Sequence, residues 1–229
     1  TGVDLRNINL TGSILKDATK LAINLKNPSN SNLSALNELQ NLNVTRYDLN
    51  EDLHYVATKE GFLFESNNNK SRLVLDLKND AQFSFDDGTG KNKSIERGFL
   101  GVASRDQFVY IAYSSQDTIG SYDDQFPLIE ESYSLVVDEY SSNFNKVRNI
   151  IKIEGFKNRG FAGNLSFDSF GKLYLSVGDG GPQPGKNIQD NDAQNLNSLK
   201  GKILRLDVSD LKLEPEIIAY GIRNPWGVN

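Results

Sequence analysis

The feature that most limits what this chain can fold into is a strand signature that recurs. Leu53-His54-Tyr55-Val56-Ala57, Phe108-Val109-Tyr110-Ile111-Ala112 and Lys172-Leu173-Tyr174-Leu175-Ser176 each set an aromatic residue among aliphatic ones, about 55 to 65 residues apart. Alternate side chains of a strand face opposite sides, so each run has a side to bury. Further short runs lie between the repeats: Leu53–Phe64 as two strands around Lys59-Glu60-Gly61, then Arg72–Leu77, Ser132–Val137, Val147–Ile153, Lys202–Val208 and Glu216–Tyr220. Short strands at even spacing predict an all-β barrel, sandwich or propeller. The repeat period selects the propeller, one repeat per blade.

Asn164–Gly181 is the most informative single stretch. Two apolar runs, Leu165–Phe167 and Leu173–Val177, flank Asp168-Ser169-Phe170-Gly171-Lys172 and read as a β-hairpin. The second strand runs into Gly178-Asp179-Gly180-Gly181. A turn of this kind either aims a carboxylate and bare backbone at a ligand or cation, or is a plain tight turn.

Residues 1–44 differ in character. Ser13–Lys26 reads as an amphipathic helix stopped by Asn27-Pro28-Ser29-Asn30, while Val3–Leu5 and Ile8–Leu10 also permit an extended arm. The expected organisation is therefore an N-terminal arm over 1–44 and a β domain over 45–229. Methionine is absent even at position 1, as expected if a segment has been removed or the chain is an internal piece.

Composition excludes several classes. With 25 basic and 30 acidic residues the net charge is −5, the opposite of the basic stripe that nucleic acid requires. No run approaches the roughly eighteen apolar residues of a membrane helix. There is no cysteine, hence no disulfide, thiolate metal site or cysteine nucleophile. Asp86-Asp87-Gly88 and Asp190-Asn191-Asp192 are rich in oxygen but lack the spacing of an EF-hand loop, and read as solvated loops.

Four blocks stand in register. Glu96-Arg97-Gly98-Phe99-Leu100-Gly101-Val102-Ala103 comes first, followed by the hairpin with its Gly178–Gly181 turn. Asp192-Ala193-Gln194-Asn195 then leads into Ser198–Val208, and Ala219-Tyr220-Gly221-Ile222-Arg223-Asn224-Pro225-Trp226-Gly227 closes the series. In this order and spacing residues 45–229 resemble the soluble quinoprotein sugar dehydrogenases, the glucose/sorbosone dehydrogenase family that includes hedgehog-interacting-protein-like domains. The resemblance implies a six-bladed β-propeller, of which this chain holds roughly the first three to four blades. The rest would lie on missing C-terminal sequence or on a partner chain. It also implies secretion or another extracytoplasmic location, and aldose oxidation at C1 by hydride transfer to pyrroloquinoline quinone (PQQ) with Ca²⁺.

Carried over residue by residue, Arg223 and Asn224 match the pair that contacts PQQ. Glu96 matches a polar residue lining the pocket, and Asp179 the carboxylate of the glycine turn. Gln194 and Asn195 fall in a loop over the same face. The family's catalytic histidine falls at Gly160, or at Arg159 if the register slips by one. Glycine has no side chain and arginine keeps its proton, so neither supplies a base. The only histidine is His54, in an early strand and far from the motif. The sequence therefore carries two readings, a PQQ-dependent sugar dehydrogenase and a non-catalytic propeller module for binding or structure.

Overall fold

The computed structural model describes residues 44–50, 53–58, 61–66, 71–77, 80, 96–118, 121–122, 127–129, 132–157, 159–181, 191–210 and 212–227. Of the arm expected over 1–44, residues 1–43 lie outside them, as do Asp86, Asp87 and Asp190, while Val44 begins the first strand. All the regular structure described is β. Strands β1 (Val44–Asn50), β2 (Leu53–Thr58), β3 (Phe62–Ser66) and β4 (Ser71–Asp76) form a sheet in chain order. A second sheet has the order β10-β9-β6-β5, from β5 (Phe99–Arg105), β6 (Phe108–Thr118), β9 (Ser132–Ser141) and β10 (Lys146–Phe156). β7 (Ser121–Tyr122) and β8 (Pro127–Ile129) form a small ribbon inserted between β6 and β9. The third sheet, again in chain order, is β11 (Ala162–Phe167), β12 (Leu173–Val177), β13 (Lys202–Leu206) and β14 (Glu216–Tyr220). All pairings are antiparallel. β5 packs beside both β1 and β11, so the end strands of the three sheets neighbour one another as the inner strands of successive blades do.

The expected strands are present, and several extend beyond the sequence reading. β6 continues through Ser114–Thr118 and β9 through Asp138–Ser141, where polar residues suggest an end. The hairpin of β11 and β12 has the expected turn. Asp168 N donates to Lys172 O at 3.1 Å, and Asp168 Oδ1 accepts from Phe170 N and Lys172 N, both at 2.9 Å. β5 lies where the sequence reading has a motif but no strand.

The second sheet is buried on both faces, and strand periodicity explains how. On β6, Val109, Ile111 and Tyr113 face one core with Tyr55, Leu63 and Phe99 of the first two sheets. Their neighbours Tyr110 and Ala112 face the other core, with Leu165, Leu173, Leu175, Leu204 and Leu206 of the third sheet. β9 divides in the same way, Val136 and Tyr140 to one side and Leu135 and Val137 to the other. Each fully buried aliphatic side chain contributes about 1.5–3 kcal/mol. No helix among the described residues is long and apolar enough to cross a membrane.

Candidate functional site

Four chain segments meet where β11 begins and β12 ends. The approach to β11 supplies Arg159-Gly160-Phe161, and the exit of β12 supplies Gly178–Gly181. Glu96 and Arg97 enter from before β5, and Arg223-Asn224 from after β14. Main-chain hydrogen bonds tie them together. Gly178 N donates to Phe161 O at 2.9 Å, Gly180 N to Gly160 O at 3.1 Å, and Asp179 N to Arg223 O at 2.8 Å. Gly201 bridges further, donating to Gly178 O at 2.9 Å and accepting from Ile222 N at 3.1 Å. The structure thus brings Glu96, Asp179, Arg223 and Asn224 to one locus. His54 is not among them; it sits in β2 of the first sheet, in register with Leu49 and Ser66.

Gly160 is the centre of the locus. Its φ is 74°, in the left-handed region that only glycine adopts freely. A Cβ added there would overlap Gly181 N and stand 2.8 Å from Gly180 C and 2.9 Å from Gly180 N. A side chain at this position would therefore run into the main chain of the glycine turn. Facing it, a Cβ on Gly178 would overlap Gly160 O. Two glycines let these backbones touch.

The carboxylates are turned onto this backbone. Glu96 Oε2 accepts from Gly160 N. Asp179 is buried, and its Oδ1 accepts from Gly181 N at 2.9 Å, an Asx turn within the glycine loop. Arg223 is exposed, while Asn224 is half-buried and its Oδ1 is a buried acceptor with no partner among the described residues. That oxygen lies 3.1 Å from where a Gly178 Cβ would stand. An unpaired buried amide oxygen costs about 1–3 kcal/mol and asks for a donor or a cation.

Two residues that sequence reasoning did not single out support the loop before β13. Lys202 is fully buried, and its Nζ donates to three carbonyls: Asp192 O at 2.8 Å, Ala193 O at 3.0 Å and Lys200 O at 2.6 Å. Burial pushes its pKa down, opposed by the Asp192 carboxylate. Lys200 Nζ reaches Gly155 O at 2.5 Å and lies 5.1 Å from the Phe156 ring centroid. Only a lysine standing among apolar β13 neighbours hinted at Lys202 in the sequence. Gln194 packs its amide against Gly221, and Asn195 Oδ1 accepts from Asn197 N at 2.9 Å. Among the described residues no three His, Cys, Asp or Glu side chains gather as a metal site.

A family model described as Glucose / Sorbosone dehydrogenase matches residues 90–229. HIPL1 protein of Arabidopsis thaliana is 39% identical over 92 residues, 28% of this chain and 13% of that protein. HIPL2 protein of the same plant is 34% identical over 134 residues, 41% of this chain and 19% of that protein. A crystal structure assigned as an oxidoreductase (glucose dehydrogenase) from Thermus thermophilus superposes with a TM-score of 0.51 at 18% identity, covering 78% of this chain and 50% of that one. The chain thus spans half of that solved structure and less than a fifth of HIPL1 and HIPL2. At 18% identity the superposition speaks for the fold alone.

Proposed function

Because the chain belongs to the glucose/sorbosone dehydrogenase family, we propose that it is a sugar-binding propeller module whose dehydrogenase base has given way to main chain. The observation that supports this reading is Gly160. Hydride abstraction from an aldose C1 needs a base within hydrogen-bond reach of the hydroxyl proton. Here the residue at that position has no side chain, and its surroundings admit no Cβ. Both nearby carboxylates, Glu96 and Asp179, are engaged by backbone N–H groups.

A second reading, PQQ- and Ca²⁺-dependent aldose oxidation, is favoured by Arg223 and Asn224. A guanidinium offers a fork for a carboxylate, and the unpaired Asn224 Oδ1 would accept a donor or a cation. When bound, PQQ supplies a two-electron acceptor. The residues at the locus fit one edge of such a cofactor but not its chemistry, for want of a base. No step is routed through it. A six-bladed ring, with the three four-stranded sheets as part of it, and work outside the cytoplasm belong to the same proposal on the family resemblance.

The test uses Trp226, the only tryptophan, two residues beyond Asn224. Titration with D-glucose is expected to change its fluorescence saturably without added PQQ, with calorimetry giving the same affinity. No binding by either method, with or without PQQ, would overturn the sugar-binding reading.

A further inference from the structure

The arginines with described side chains fall into two groups. Arg72 pairs with Glu65 at 3.1 Å, Arg105 with Asp106 at 3.5 Å, Arg148 with Glu139 at 3.0 Å and Arg205 with Glu216 at 2.5 Å. Arg97, Arg159 and Arg223 meet no carboxylate among the described residues, and all three stand on the segments that converge at Gly160. Arg223 already has a proposed role there. The other two have none.

Arg97 lies with its guanidinium 4.6 Å from the Tyr133 ring centroid and donates through Nη1 to the Tyr133 hydroxyl. Its Nε is buried and has no partner among the described residues. The residue before it, Glu96, holds Gly160 N, which keeps Arg97 at the edge of the glycine turn. Tyr133 in turn meets Phe161 edge to face at 6.4 Å, so the support under Arg97 is the segment that carries Gly160. Arg159 immediately precedes Gly160. Its aliphatic stem lies over Gly181, with Cγ 2.7 Å and Cδ 3.1 Å from where a Cβ of that glycine would stand, and the residue is exposed. Its head makes no hydrogen bond or ion pair with a described residue. An aromatic ring beneath one guanidinium, and bare glycine beneath the stem of the other arginine, let planar forks meet an anion without competing side chains. The nearby carboxylates of Glu96 and Asp179 are turned onto Gly160 N and Gly181 N, and Lys200 is held by Gly155 O and Asp192.

We propose that Arg97 and Arg159 form an oxyanion subsite at the lip of the Gly160 turn, and that its ligand is the carboxylate of an acidic sugar of the uronic acid class. This rests on the sugar-binding reading above and names the kind of sugar. Charge-assisted, bidentate hydrogen bonds carry the added affinity, so it weakens with salt.

The experiment is calorimetric titration of the protein with D-glucuronate, D-glucose and inorganic sulfate, each at low and high salt. Glucuronate is expected to bind about tenfold more tightly than glucose at low salt, the gain expected of one good charge-assisted contact. Arg159→Gln, on the surface, is expected to remove most of that gain. Arg97→Gln should do the same, and Arg159→Gln keeps the test valid if Arg97→Gln does not fold. Equal affinity for glucuronate and glucose, or no effect of Arg159→Gln on the difference, would overturn the subsite and leave the sugar reading standing. Sulfate binding as tightly as glucuronate would overturn the sugar part of the assignment. Failure of every sugar to bind would overturn both.

Discussion

At the residue scale Gly160 sets the account apart from that of an ordinary dehydrogenase. That the chain has a single histidine, His54, can be read by counting. That Gly160 admits no side chain cannot be read. Closure depends on a φ of 74° and on the backbone of Gly180 and Gly181, which the chain brings back only after a full hairpin. Gly160→Ala is therefore expected to destabilise the fold by about 2–4 kcal/mol, from left-handed strain together with overlap against main chain. Chemical denaturation would measure this, and a change within experimental error would mean that the turn relaxes freely. Gly160→His is expected to lose stability and to gain no oxidation of aldoses. The glycine turn is legible as a place where a carboxylate and bare backbone meet. Which groups Asp179 faces is not, because an Asx turn and a ligand contact need the same residues at the same spacing.

At the element scale β9 carries the most unusual burden. Adjacent residues Asp138 and Glu139 are both buried, and alternation turns them to opposite cores. Asp138 accepts from Tyr113 at 2.8 Å and Asn149 at 2.9 Å and pairs with Lys146 at 2.7 Å. Glu139 pairs with Arg148, which also donates to Val208 O beyond the third sheet's β13. Arg148→Met leaves the Glu139 carboxylate buried without its cation, and is expected to cost about 3 kcal/mol in urea unfolding. A loss no larger than that of an exposed pair would contradict the role given to this contact. These two acids explain why the sequence reading ends β9 at Val137, since a strand buried on both faces loses the polar–apolar alternation that marks strands in sequence. β5 is hard to read as a strand because Phe99–Arg105 has a glycine, an alanine and a serine among few large side chains. The hairpin of β11 and β12 is legible in full because its turn chemistry is local. Beside it, a hydrogen bond from Lys172 and then one from Ser209 hold the Asp207 carboxyl down to about 2, against 3.8 ordinarily. Between those values the unfolded chain binds the proton and the fold does not. The stabilisation is therefore present above about pH 4 and lost as pH falls through about 2. In Lys172→Met the urea midpoint should fall less between about pH 4 and about pH 2 than in the wild type, and an unchanged pH dependence would contradict the assignment.

At the scale of the whole molecule, three four-stranded sheets share two cores, with the middle sheet buried between the others. The repeat of aromatic–aliphatic strands makes this architecture legible, since each repeat is one unit that buries its faces only against neighbours. The convergence of Glu96, Gly160, Asp179 and Asn224 follows from it, because end strands that neighbour one another bring their approach loops together. The family fixes the scaffold, and the site decides what the scaffold does. The most direct test of the central claim, that main chain has taken the place of the base, is PQQ-dependent dye reduction by the protein supplied with PQQ, Ca²⁺ and D-glucose. No rate above that of the cofactor alone is expected. Glucose-dependent turnover that is lost on Arg223→Ala would contradict it and make the protein a working dehydrogenase with a base drawn from elsewhere.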